Sequence, residues 1–267
     1  MIRNSVYRLC AGFVGCLALA AAPSFAVDSP TATFVPVVDG PPETRSTPFI
    51  SWFGDLSRVG YVEEEYLVSG GANVYEYVDN AGQSPEVQIR EAEVPYTSRI
   101  LVRKPTRKGR FSGTVYVEIL NPTAGWDGDA VWNMNNEYLI REGAVYVGLS
   151  SKPVAVNFLA GKNTEIGQFN WGQPPLVERN ASRYESLSMP FFGQVWDMLS
   201  ELGLLLKSAN DSNNPLYGLD VEQVIMAGYS QSAGYQVTYA NSFHADATMP
   251  DGSPIYDGYY IAAGGPS

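Results

Sequence analysis

Read as a pattern of apolar and polar positions, the chain changes period along its length. From Val59 it alternates through Tyr61, Tyr66 and Val68, breaks at Gly70-Gly71, and alternates again over 74–78; 98–102 continues the same period. A period of two predicts strands with one wet face, and these early strands read as an antiparallel edge. The pattern then changes. Residues 114–120 and 144–149 are almost uninterrupted apolar runs, as strands buried on both faces require. Between them, 131–141 has helical spacing. A long irregular stretch rich in Asn, Gln, Gly and Pro is expected over 151–189, with Phe158, Phe169 and Trp171 inside it, and reads as a lid or pocket wall.

Helical spacing returns over 193–207, where Val195, Met198, Leu199, Leu202, Leu205 and Leu206 form a core-packing stripe. A strand over 224–227, a helix through Val237 and Tyr239, and a last strand over 256–262 complete the order. Alternating strands and helices predict an α/β fold: a mainly parallel sheet with helices on both faces and antiparallel strands at its N-terminal side. The organisation reads as a leader over 1–26, an extended Pro/Thr-rich segment over 27–58 and one α/β unit over 59–267.

The leader changes how composition is read. Arg3 and Arg8 precede an apolar run over 9–22, and Ser24-Phe25-Ala26 is a small-x-small cleavage site, the pattern of a secretory signal. The apolar run is short of the roughly 20 residues a spanning helix needs, so no membrane span is expected in the mature chain and a periplasmic or extracellular location is. Both cysteines, Cys10 and Cys16, fall in the leader, leaving neither a disulfide nor a thiol nucleophile afterwards. Cleavage removes two arginines and no acid, taking the net charge from −11 to −13, a surface that repels nucleic acid. The only basic cluster, 103–110, lies between two strand-like runs and reads as a solvated hairpin loop. With one histidine and scattered carboxylates, neither a metal site nor a cofactor is expected.

The chemistry concentrates at Gly228-Tyr229-Ser230-Gln231-Ser232-Ala233-Gly234, directly after an apolar strand and opening a helix. A serine held in a strained strand-to-helix turn needs small neighbours two positions away on each side, which Gly228 and Ser232 provide. Ser232 also has small flanking residues, but Ser230 occupies the first turn after the strand and is the nucleophile this pattern favours. An acyl-transfer site needs oxyanion donors, a base and a carboxylate. The backbone N–H of Gln231 is one expected donor. The loop after the first central strand, starting at Asn121, should give the other, from Thr123 or Ala124. His244 is the sole histidine, and if the intervening segment is helical it lies roughly 20 Å from Ser230, too far to act as its base. Asp257 reads as structural.

The elbow, with Asn241, His244 and Tyr256-Asp257-Gly258 after it, is similar to that of bacterial secreted alpha/beta hydrolase domain proteins. Tyr61-Val62-Glu63-Glu64-Glu65-Tyr66, Val117-Glu118-Ile119-Leu120-Asn121-Pro122-Thr123 and Gly148-Leu149-Ser150 resemble the same family, so the similarity extends over most of 59–262. Gly-Tyr-Ser-Gln also resembles the elbow of cutinases, which are disulfide-bonded, unlike this chain. The family resemblance implies Ser230 as nucleophile and a small-molecule ester or acyl substrate. It also implies that the catalytic acid and histidine lie on strands beyond Ser267, so that the chain is C-terminally truncated.

Overall fold

A computed structural model describes residues 28–41, 45–79, 85–162, 181–208 and 211–264. The leader over 1–26, and Phe169 and Trp171 of the expected pocket wall, lie outside these residues. Seven strands and five helices follow in the order β1 (Thr31–Val35), β2 (Tyr61–Tyr77), β3 (Val87–Pro105), β4 (Thr114–Ile119), α1 (Ala130–Glu142), β5 (Val145–Leu149), α2 (Pro153–Leu159), α3 (Ala181–Tyr184), α4 (Val195–Lys207), β6 (Gln223–Tyr229), α5 (Gln231–Ser242) and β7 (Gly258–Ala262). They build one sheet in the order β1-β2-β3-β5-β4-β6-β7. The first three strands and the β3–β5 pair are antiparallel, whereas β5, β4, β6 and β7 run parallel.

The alternation of side chains along the central strands sorts the helices between two layers. Val115 and Val117 of β4 and Val145 and Val147 of β5 join the main core, which takes in Val156 and Leu159 of α2, Met198, Leu199 and Leu202 of α4, and Tyr235 and Tyr239 of α5. Tyr146 points the other way, where Trp132 and Leu139 of α1 cover it together with Tyr61 and Leu56. Burying each such side chain contributes on the order of 1.5–3 kcal/mol. Helix α1 starts without a side-chain cap from its own Asp129. Instead the Glu118 carboxylate, on β4, accepts the N–H groups of Val131 and Trp132 at 2.9 and 3.2 Å. Gly143 ends the helix at φ 74°, where a Cβ would stand 2.0 Å from the Arg110 carbonyl.

Four expectations need correction. Gly70-Gly71 does not divide two strands; β2 runs through both, and the register with β3 shifts only around Val74. The strand expected over 98–102 is the central part of β3, which is nineteen residues long. The basic cluster is not a hairpin loop, because β5 lies between β3 and β4 in the sheet, and Arg103 is fully buried within β3. The stretch after Ser151 is not irregular throughout, since Pro153 starts α2 there, its fixed φ suiting a first helical turn. The extended N-terminal segment contributes β1, held by Asn213, which accepts from the Ala32 N–H and donates to the Pro30 carbonyl.

Candidate active site

Parallel strands bring their carboxyl ends to one edge of the sheet, and in open α/β sheets that edge is where sites form. Here it gathers the loop after β4, the Ser150-Ser151-Lys152 segment after β5, and Ser230 at the end of β6. Ser230 lies between β6 and α5 with φ 56° and ψ −119°, a conformation that a residue carrying a Cβ adopts only when its surroundings impose it. The imposition is visible on both sides. Its N–H donates to the Ala262 carbonyl of β7 at 2.9 Å and its carbonyl accepts from Ala233 at 3.0 Å. At Gly228 strand and helix come so close that a Cβ would stand 2.8 Å from the Ser232 carbonyl oxygen. Ser230 is exposed, and Gln231, the first residue of α5, carries one of the N–H groups that a helix start leaves without an intrahelical acceptor.

Ser232 has a different environment from Ser230. It is fully buried, its hydroxyl accepting from the Lys152 ammonium at 2.9 Å and donating to the Leu120 carbonyl at 3.4 Å. It therefore ties α5 to the loop after β4 and to the start of α2. Asn121 makes a second tie: its amide donates to the Tyr229 carbonyl at 2.8 Å, and its Oδ1 accepts from the Thr123 N–H at 2.9 Å. That last bond takes up the Thr123 N–H within the loop. The Thr123 hydroxyl is buried without a partner among the described residues. Ala124 packs against the main core.

Two buried arginines of β3 fix the rest of this loop. Arg99 donates to Glu65 of β2 at 2.7 Å, to Asp127 at 3.0 Å and to the Phe49 carbonyl at 3.0 Å. Four residues on, on the same face of the strand, Arg103 donates to Glu63 and to Asp129, each at 2.7 Å. Glu65 additionally accepts from Arg183 and, at 2.8 Å, from Tyr184. Burying charges this deeply is tolerable only because each is paired and hydrogen-bonded.

Beside the elbow opens a cleft of about 950 Å³ whose lining includes Thr123, Lys152, Gln231, Tyr75, Trp196 and Phe192. It thus joins two of the expected oxyanion residues, Thr123 and Gln231, but not Ala124. His244 lies beyond the end of α5, its Nδ1 2.8 Å from the Tyr259 hydroxyl. The helix runs unbroken over Gln231–Ser242, and His244 follows two residues past its end. Asp257 accepts from the Val224 N–H at 2.7 Å and pairs with Lys207 at 2.8 Å, bracing β6 at the end of the strand away from Ser230. Sequence reasoning missed Lys152 altogether. Its one signal was position, directly after a buried strand that ends at the site edge.

The strained serine between β6 and α5, on a sheet of this order, defines the protein as an α/β hydrolase by fold. Residues 34–267 match the family model described as alpha/beta hydrolase domain, and the chain belongs to that family. Among solved structures it is similar to the esterase Est22, with 11% identity over 76% of this chain and 44% of that one and a TM-score of 0.37. Acetyl xylan esterase 1 from Thermoanaerobacterium sp. JW/SL YS485 is 13% identical over 79% of this chain and 49% of that one, with a TM-score of 0.33. The cell wall degrading esterase LipA from Xanthomonas oryzae is 13% identical over 73% and 41%, with a TM-score of 0.31. The chain spans less than half the length of each of these three structures. No curated protein matches in sequence.

Proposed function

We propose that the chain is an exported serine hydrolase acting on a carboxylic ester or related acyl bond, with Ser230 as nucleophile. The single observation that carries this is the Ser230 backbone, held at positive φ between a strand and a helix while its side chain stays exposed. In this reading Ser230 Oγ, its proton passing to solvent, attacks the acyl carbon; the carbonyl oxygen, becoming an oxyanion, accepts from the Gln231 N–H, its collapse expels the alcohol, and water then hydrolyses the acyl-serine to the acid and free Ser230. The loop fixed by Arg99 and Arg103 supplies the second donor, through the Thr123 hydroxyl or the Ala124 N–H. The leader over 1–26 directs export, and among the described residues no helix is long and apolar enough to cross a membrane. His244 is not the base.

The cleft also suits a second reading, a non-catalytic binding protein that keeps the fold. Labelling with a fluorophosphonate probe, with the adduct located by mass spectrometry, separates the two. The hydrolase reading expects an adduct on Ser230 that disappears in Ser230→Ala and persists in Ser232→Ala. An adduct elsewhere, or one that survives Ser230→Ala, overturns it, and no adduct under forcing conditions supports the binding protein.

A further inference from the structure

The cleft beside the elbow has a direction. Gln231 and Thr238 both line it and lie about two turns apart on α5, so it runs along that helix for roughly 10 Å, at about 1.5 Å per residue. At the far end the Thr238 hydroxyl lies 3.3 Å from that of Tyr77 on β2. Phe192 stands between the two ends, its ring 5.3 Å from that of Tyr235, which α5 carries one turn beyond Gln231. Phe192 lines the cleft and is 52% exposed, whereas Tyr235 and Trp196 behind it are buried with their rings 5.4 Å apart. The short turn that carries Phe192 is fixed to the arm of β2 and β3. Gly193 lies so close to β2 that a side chain there would collide with the Tyr75 carbonyl. The Gln194 amide donates to the Val94 carbonyl of β3 at 2.8 Å, and its oxygen accepts from the Phe191 N–H at 3.1 Å. A half-open ring held this way loses little freedom when a ligand covers it.

We infer that this cleft selects esters carrying a neutral aryl ring, which packs against Phe192 while the scissile carbonyl lies at Gln231. The inference rests on the hydrolase reading for the word ester; binding of the ring does not need the nucleophile. Aromatic rings prefer one another in offset or edge-to-face pairs, beyond what burial of apolar area gives. One turn of α5, about 6 Å, separates Gln231 from Tyr235, so a spacer of about two or three atoms joins carbonyl to ring. An acetyl group would stop short of Phe192. The charged residues of the lining are engaged within the protein: Lys152 with Ser232 and the Tyr235 ring face, Arg90 with the Phe191 ring and Glu91, Glu76 with Gln88. The ring is therefore the part of the ligand that this wall recognises.

The test is calorimetric titration of the whole chain with 4-phenylbutan-2-one against 4-cyclohexylbutan-2-one, ketones that cannot be hydrolysed and that share one carbon skeleton. The phenyl ketone is expected to bind more tightly. Phe192→Leu, at a half-exposed position, should lower the ratio of phenyl to cyclohexyl affinity by about two- to tenfold, the worth of one aromatic pair. Phe192→Tyr keeps the ring and should keep the ratio. No measurable binding of either ketone, a wild type that favours the cyclohexyl ketone, or a ratio that Phe192→Leu leaves unchanged overturns the inference, as does an equal fall in Phe192→Tyr. Ser230→Ala is expected to bind the phenyl ketone as the wild type does, so a failed fluorophosphonate labelling with intact ring preference would sink the hydrolase reading alone.

Discussion

At the scale of single residues, the site is built from conformations and protonation states that cost stability. Ser230 at φ 56° holds strain on the order of 1–3 kcal/mol, imposed by bonds to Ala262 and Ala233. Ser230→Ala keeps the Cβ and hence the strain. Ser230→Gly should therefore be the more stable of the two by about 1 kcal/mol in urea unfolding, despite the usual entropy cost of glycine. Glu118 gives a second residue-scale expectation. Burial raises its carboxyl to about 8, against the ordinary 4.5, although Val131, Trp132 and Tyr146 all donate to it. A raised acid favours the folded state in its protonated form, so this contribution is complete below about pH 4.5 and is lost as pH rises through 8. Glu118→Gln should lower the melting temperature overall, since an amide mismatches one of the three donors, yet flatten its decline between those pH values.

At the scale of elements, the sequence exposed what repeats and hid what is paired. Helices α1 and α4 and the buried strands β4, β5 and β6 were legible because apolar spacing follows burial, and the elbow because small residues must flank its serine. Arg99 and Arg103 were not. Pattern alone treats arginine as a sign of solvent, and only the fold brings Glu63, Glu65, Asp127 and Asp129 around them. The same blindness split β2 at Gly70-Gly71, where glycine reads as a break although Glu201 and Tyr96 approach Gly70 too closely for a side chain. Because the Arg103–Asp129 pair is buried, Asp129→Ala should cost about 3 kcal/mol in urea unfolding. The denaturant slope should not change. Loss of the pair should also slow fluorophosphonate labelling, since Asp129 closes the loop that reaches Thr123.

At the scale of the whole molecule, the long antiparallel arm of β2 and β3 and the parallel half of the sheet share one core. Val68, Tyr96 and Ile100 of the arm belong to the same buried cluster as Val224, Tyr239 and Tyr256. Unfolding in urea should therefore be a single transition, with tryptophan fluorescence and far-ultraviolet circular dichroism coinciding; two separated transitions would show that the arm is an independent unit. The topology was legible only in part. Alternating strands and helices indicated a parallel sheet, but insertion of β5 between β3 and β4 has no local sequence signature.

The bond from the Ser230 N–H to the Ala262 carbonyl carries a consequence for how the site comes into being. The heptapeptide around Ser230 leaves the ribosome well before Ala262 does. Until β7 docks, nothing on that side holds the turn in its costly shape, and the serine is an ordinary hydroxyl in a relaxed bend. On the proposed hydrolase reading, reactivity is thus acquired with the closing of the sheet and not with the synthesis of the motif.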